Sequence, residues 1–136
     1  MEASQRPLEL ILARNLLTAI STPAFLVDYD GRLLFYNEAA GALLGASFEE
    51  TGRMDPDEWT ARFGPFDRDG NPLSVEEMPH TQSLREGRPG HAKLHIRLAD
   101  GEIHAIEASA TPILGSGENG QSGAMVIFWP EGEEAR

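Results

Sequence analysis

The sequence contains no cysteine among its 136 residues. Disulfide bonds, thiolate zinc sites and cysteine nucleophiles are therefore excluded. Photochemistry that forms a bond to a thiol is excluded as well, both for a flavin adduct and for a thiol-linked chromophore. Because an absence of cysteine is consistent with a reducing compartment, we expect a cytoplasmic protein.

Basic charge and long apolar runs are also scarce. The chain carries 11 Lys and Arg against 22 Asp and Glu, which gives a formal net charge of −11. Such a surface repels phosphate backbones. The most apolar N-terminal stretch, residues 8–20, is interrupted by Glu9, Arg14 and Asn15 and lacks the pattern of a signal peptide. We therefore expect neither a nucleic-acid partner nor a membrane partner.

The length of the chain favours one domain that is large enough to bury a core. We predict an N-terminal flanking helix over residues 1–20 and a folded domain over residues 21–130. Three glutamates make residues 131–136 strongly acidic, so we expect a solvated tail there.

The predicted N-terminal helix is apolar on more than one side. Its main apolar stripe, at helical spacing, consists of Leu8, Ile11, Leu12, Leu16 and Ile20. Leu10 and Leu17 lie off that stripe. Either the helix packs only on its own domain, or the surplus apolar face meets a second copy of the chain. We expect a homodimer that uses the main stripe and the outer face of the predicted sheet.

A dense series of short elements follows this helix. Apolar runs at residues 24–28 and 33–36 flank the turn residues Asp30-Gly31, which predicts a β-hairpin. Asn37 then stands where the N-cap of a helix should, because its side-chain oxygen can accept a bond from a free backbone N–H. The alanine-rich segment after it predicts a short helix that ends at Gly45.

Further short helices are predicted between the hairpin and the C-terminal strands. We expect one turn over residues 48–51, and a helix that begins at Asp55-Pro56 and stops at Gly64-Pro65. Another turn is expected at residues 74–77. Proline is favoured at the first position of a helix, so we place a further helix from Pro79 to Glu86.

The last third of the chain has strand patterns. Strands are predicted at residues 93–98, 103–113 and 123–129, with a hairpin turn at Asp100-Gly101. The economical arrangement is an α+β fold with a five-stranded antiparallel sheet and short helices over one face. If the hairpin has a two-residue turn, His95 and His104 share a face. We expect no metal site there, because a third ligand is not assured and Arg97 lies beside them.

Several different short motifs follow one another along the chain. They are Asp28-x-x-Gly31, Asn37-x-Ala39-Ala40 with Leu43 and Gly45, Pro72-Leu73-Ser74 to Pro79, Leu84-x-x-Gly87, Asp100-Gly101, Ala110-Thr111-Pro112-Ile113 and the strand led by Gly123. Each motif alone is weak, but their order and spacing over about residues 20–129 resemble a PAS domain. The stretch from Leu73 to Gly87 looks most like PAS domains attached to bacterial histidine kinases and phosphatases.

The resemblance implies a sensory or dimerisation module that is not normally catalytic. In that family, helices folded over the sheet enclose an apolar chamber that can hold a small ligand or cofactor, and the module passes a signal to an output domain, as in two-component systems. One departure is the C-terminal end of the last strand. Phe128-Trp129-Pro130-Glu131 stands where the family often has an Asp-Ile-Thr-like motif. The N-terminal helix is then the better candidate to carry a signal.

The expected ligand-binding residues are apolar side chains that should face the chamber. They are Phe25, Val27, Leu43, Trp59, Phe63, Met78, Leu84, Ile96, Ile106, Ala108, Val126 and Phe128. Ala108 and Ala110 opposite the alanines of the short helix should leave room for a guest, and Met78 could adapt to it. For any single one of these residues, ordinary core is the better explanation, and the case for a chamber depends on the whole set.

Two other functions remain open. The domain could be a ligand-free interaction or dimerisation module with a filled core. It could also bind haem, because the resemblance includes PAS domains that ligate haem through a histidine on the helix after the long loop, where His80 lies. Non-covalent flavin is a further cofactor that the family implies. Enzyme activity is not expected, since the sequence has neither a Gly-x-Ser-x-Gly elbow nor a phosphate-binding loop.

Overall fold

The computed structural model describes residues 8–67, 69–73, 78–115 and 121–130, except the side chains of Pro79, His80, Gln82, Leu84 and Gln121. Three predicted features fall outside the described residues. They are the first seven residues of the flanking helix, the turn at 74–77, and the acidic tail at 131–136.

The described residues form five helices and five strands. In chain order they are α1 (Leu8–Ala19), β1 (Ala24–Asp28), β2 (Leu33–Tyr36), α2 (Glu38–Leu44), α3 (Phe48–Thr51), α4 (Pro56–Phe63), α5 (Pro79–Glu86), β3 (Gly90–Arg97), β4 (Ile103–Leu114) and β5 (Gln121–Pro130). The strands make one antiparallel sheet in the order β2-β1-β5-β4-β3. The predicted fold class is therefore confirmed. No helix in the described part of the chain is both long and apolar enough to cross a bilayer.

The bounds of β3 and β5 differ from the prediction. β3 begins at Gly90 rather than at residue 93, and β5 begins at Gln121 rather than at Gly123. Both strands extend into polar sequence because their first residues pair with the long strand β4. Backbone hydrogen bonds to a neighbouring strand outweigh the weak strand propensity of the polar residues. A Cβ at Gly123 would lie 2.2 Å from the carbonyl oxygen of Val27. Glycine is therefore required where β5 approaches β1.

The sheet carries apolar layers on both faces. One layer lies under α2, α4 and the N-terminal end of α5 and includes Val27, Ile106 and Val126. The other lies under α1, where Leu10 and Leu17 are buried with Leu26. The helix α1 thus covers part of the outer sheet face that was predicted to contact a second copy. Ile20 lies beyond the end of α1 and packs partly buried against this second layer, so its place in the outward stripe was wrong.

A β-bulge in β2 explains why all four of its residues are buried. Leu26 pairs with Phe35 and Val27 pairs with Leu33, which leaves Leu34 as an extra residue between them. The bulge turns Leu33 toward the layer under the short helices, while Leu34 and Phe35 join the layer under α1. The strand is therefore buried on both faces.

The side chain of Asn37 joins three elements at one end of the sheet. Its Oδ1 accepts from the N–H of Ala40 at 3.0 Å, which is the predicted N-cap of α2, and from the N–H of Ala24 at 3.1 Å. Its Nδ2 donates to the carbonyl oxygens of Leu17 at 3.1 Å and Thr22 at 2.9 Å. The residue is 2% exposed, so these bonds are made out of contact with solvent.

The hairpin between β3 and β4 has a three-residue loop and not the two-residue turn considered above. The N–H of Leu98 donates to Glu102 at 3.0 Å, and Gly101 has a φ of 83°, as loops of this length require. The register therefore shifts by one residue, and His95 pairs with Ala105. Because paired residues share a face, His95 and His104 lie on opposite faces of the sheet.

A metal site at this hairpin is accordingly not formed by the two histidines. His104 instead contacts Asp100, with 2.8 Å between Nε2 and Oδ2. Bonds from the Glu102 N–H and from His104 lower the pKa of Asp100. Within the described part of the chain, no three His, Asp or Glu side chains come close enough to hold a metal ion.

A buried hydroxyl gives a test of the helix packing. The Ser83 side chain on α5 is 1% exposed, and its Oγ has no hydrogen-bond partner among the described residues. We predict that Ser83→Ala raises the free energy of unfolding by about 1 kcal/mol, because it removes an unsatisfied group and improves helix propensity. Urea denaturation measures this.

The matched control is Ser47→Ala. Ser47 caps α3: its Oγ accepts from the Glu50 N–H at 3.2 Å, and its own N–H donates to the Glu50 carboxylate at 2.8 Å. This change should lower the free energy of unfolding by about 1 kcal/mol. If Ser83→Ala destabilised the protein as much as Ser47→Ala, the hydroxyl on α5 would have a binding partner that this account lacks.

Candidate functional site

A small apolar chamber lies between the sheet and the layer of short helices. One wall comes from α4, which begins where the Glu58 carboxylate accepts the Asp55 N–H at 3.0 Å. Trp59 and Phe63, four residues apart, are buried on the side of α4 that faces the sheet. The indole N–H of Trp59 donates to the carbonyl oxygen of Gly31 at 3.0 Å, which fixes the ring over the β1–β2 turn.

Aromatic rings from three elements meet at one side of the chamber. The ring centroid of Phe25 on β1 is 6.0 Å from that of Trp59 and 5.9 Å from that of Phe128 on β5. These tilted contacts are a favourable geometry for aromatic pairs. The centre of a water-sized sphere can occupy about 60 Å³ of space inside. The structure therefore contains a real but small cavity in its main core.

Most of the residues predicted to face the chamber line this cavity. They are Phe25, Trp59, Phe63, Met78, Ile96, Ile106, Ala108, Val126 and Phe128. Val27 is fully buried in the same core but is not in the cavity wall, and Leu43 only packs partly buried against that core. The side chain of Leu84 is outside the described residues.

The sequence reasoning missed six other wall residues. They are Leu33, Tyr36, Leu44, Gly64, Pro65 and Leu94. Leu94 could have been found, since it alternates with Ile96 on one side of β3. Leu33 reaches the chamber because of the bulge in β2, and no local pattern signals that bulge.

The alanines account for only part of the space. Ala108 lines the cavity, while Ala110 is fully buried outside its wall. Ala40 is buried in the core as well, but Ala42 is exposed on the other side of α2. The expectation that Ala42 faces the chamber was therefore wrong, because seven residues of α2 turn their side chains in all directions.

The polar groups at the chamber's edge are engaged in the protein's own hydrogen bonds. The hydroxyl of Tyr36 donates to the carbonyl oxygen of Ala46 at 2.7 Å and lies 3.3 Å from the Thr51 hydroxyl. Burial raises the pKa of Tyr36, so the phenol stays protonated near neutral pH. The wall that a guest would meet is thus almost entirely apolar.

The cofactors that the resemblance implied do not fit this space. An engineered apolar cavity of about 150 Å³ binds benzene, and pockets for drug-sized ligands occupy about 300–1,000 Å³. The cavity enclosed by the described residues, at about 60 Å³, is too small for haem or flavin. His80 is the second residue of α5, and its side chain is outside the described residues.

Comparison with solved structures finds the same fold in several proteins. The PAS domain of a protein from Colwellia psychrerythraea superposes with a TM-score of 0.62 at 19% identity, covering 88% of this chain and 96% of that one. A PAS domain from a two-component sensor histidine kinase gives 0.58 at 19% identity, covering 91% and 97%. The PAS domain of the nitrogen regulation protein NR(II) from Vibrio parahaemolyticus gives 0.59 at 18% identity, covering 88% and 97%.

Similarity at these identities establishes the fold. No curated protein sequence matches the chain. The sequence profile described as PAS domain matches residues 12–79, which is half of the chain and runs from α1 to the start of α5. Together with the antiparallel sheet and the short helices over its chamber, this match shows that the chain belongs to the PAS domain family.

Proposed function

We propose that this PAS domain is a non-enzymatic sensory module of a bacterial signalling protein in the cytoplasm, and that its chamber takes a small apolar guest. The observation that carries the proposal is the apolar wall, whose polar atoms are already bonded within the protein. A place in a two-component system is supported by the similar PAS domain from a two-component sensor histidine kinase.

The size of the cavity limits the guest. A space of about 60 Å³ suits a guest no larger than a few small atoms, unless a wall residue moves. Met78, at the N-cap of α5, is the wall residue best suited to move, because its side chain is unbranched and polarizable. A guest acts as a signal only if it binds two states of the domain with different affinity.

Contacts made by α2 connect the chamber to α1. Leu44 at the end of α2 lines the chamber, and Asn37, the N-cap of α2, donates to one carbonyl oxygen at the end of α1 and to another just after it. A guest that displaces α2 would therefore act on the same side chain that holds α1. This supports α1 as the element that carries the signal onward.

Xenon tests whether the chamber accepts a guest. We predict that xenon dissolved in the sample shifts the methyl NMR signals of Met78, Ile106 and Val126, because it is apolar and small enough for such cavities. Ala108→Val adds two methyl groups to the wall and should abolish these shifts.

Ala105→Val is the matched control, since it makes the same change on the opposite face of β4. It should leave the xenon shifts as they are in the unchanged protein. The absence of shifts in the unchanged protein would favour the alternative of an interaction domain with a filled core. Shifts that persist in Ala108→Val would place the guest elsewhere.

We propose second that the domain forms a homodimer through α1. Leu8 is 65% exposed, Leu12 57% and Leu16 54%, although each is a large apolar side chain. Ile11, at 43%, borders them. They lie on the side of α1 opposite the buried Leu10 and Leu17. A helix that is apolar on two opposite sides needs a second surface to cover the outer one.

A charge in the outward stripe tests the dimer. Leu12→Glu should convert a dimer of the 14.8 kDa chain to a monomer, because the carboxylate would lose its hydration in the interface. Ala61→Glu, at an exposed position of α4, is the control and should leave the dimer intact. Sedimentation velocity measures both. A monomeric unchanged protein, or a Leu12→Glu variant that remains dimeric, contradicts the proposal.

A further inference from the structure

A second concave surface lies on the outside of the domain, where α1 faces α2 and α3. The groove offers about 720 Å³ to the centre of a water-sized sphere, far more than the inner chamber. Arg14 and Thr18 of α1 line one side of the groove, and residues of α2 and α3 line the other. The α2 wall carries small residues such as Ala42 and Gly45, so another backbone can approach closely.

The floor of the groove is aromatic. Phe35 from β2 and Phe48 from α3 meet edge to face, with their ring centroids 5.3 Å apart. The guanidinium of Arg14 on α1 lies 4.5 Å from the centroid of the Phe35 ring and 5.7 Å from that of Phe48. This floor therefore already accommodates a cation over its rings, which is a favourable contact for arginine or lysine.

The rim of the groove is acidic. Glu38 at the start of α2 and Glu49 and Glu50 in α3 all line it and are exposed. Arg14 is the cationic side chain among the groove residues, and it is stacked on the floor. On a chain of net charge −11, such a rim attracts a positively charged partner and repels an acidic one.

An exposed apolar residue of α1 lies beside the groove. Arg14 and Thr18 form the α1 wall, and Ile11 lies three and seven residues before them on the same flank of the helix. Ile11 is 43% exposed. A partner in the groove would thus meet Arg14 stacked on the aromatic floor, apolar surface beside it at Ile11 and Ala42, and carboxylates at the edge.

From these observations we infer that the groove binds an amphipathic helix of a partner protein, with basic residues along the edges of its apolar face. The apolar face packs on Ile11, Ala42 and the half-buried Phe48, and the basic residues pair with the rim glutamates. The inference is independent of the guest in the chamber. It deepens the signalling role by giving the module a surface for its output.

The test uses the whole chain and a synthetic probe. The probe is a fluorescent 16-residue peptide with leucines at helical spacing and lysines and arginines beside them, and its acidic twin has glutamate at each basic position. Fluorescence anisotropy at physiological salt should show binding of the basic peptide and not of the twin. NMR shift changes should map to the amides of Ala42, Gly45 and Phe48. No binding of the basic peptide, or shifts on another face, overturns the proposal.

Charge-neutralising variants separate the groove from the overall charge. Replacing Glu38, Glu49 and Glu50 by Gln should weaken binding about tenfold, since three exposed ion pairs to the peptide are lost. The control replaces the exposed acids Asp57, Asp69 and Glu102 by their amides and also removes three negative charges. It should change the dissociation constant less than about twofold. An equal loss in both variants shows attraction to net charge alone and overturns the proposal.

A charge placed inside the groove should weaken or strengthen peptide binding according to its sign. Ala42→Lys should weaken binding of the basic peptide and Ala42→Glu should strengthen it. The same two changes at Ala61, which is exposed on α4, should have little effect. Equal effects at the two positions contradict a site between α1 and α3. A peptide that binds only the dimer-deficient Leu12→Glu variant would show that a second copy, and not a partner, occupies the groove.

Discussion

The side-chain amide of Asn37 is the interaction on which the rest of the structure depends. Its oxygen accepts from Ala24 at the start of β1 and from Ala40 in α2, and its nitrogen donates to carbonyl oxygens at the end of α1 and just after it. The group is buried, so its removal would leave several backbone groups without partners or water. One amide therefore joins α1, β1 and α2 at this end of the sheet.

This constraint positions both candidate binding surfaces. The backbone N–H of Asn37 also donates to the carbonyl oxygen of Ala24, so α2 begins at a fixed place beside β1. From there, α2 points Leu44 into the chamber and Ala42 into the outer groove. In β2, the strand before α2, Tyr36 lies in the chamber wall and Phe35 lies on the groove floor. The inner and outer surfaces thus share one short piece of chain.

The features that could be predicted from sequence are those that a few adjacent residues determine. The cap at Asn37, the left-handed Gly45 and the proline that opens α5 each act through the backbone within a turn or two. The bulge at Leu34, the three-residue loop before Ile103 and the docking of α1 on the opposite face could not be predicted. They depend on which distant strand offers a partner, and a change of one residue in register moves every side chain to the other face.

Hydrogen exchange of single amides in the unchanged protein and in Asn37→Ala tests this account most directly. If the amide holds the three elements together, the variant should lose protection in α1, at Ala24 and at Ala40 to a similar degree, while the paired amides of β3 and β4 stay protected. If only Ala24 and Ala40 lose protection and α1 exchanges as before, α1 is held by its apolar contacts alone. That result would contradict the claim that Asn37 couples the chamber to α1.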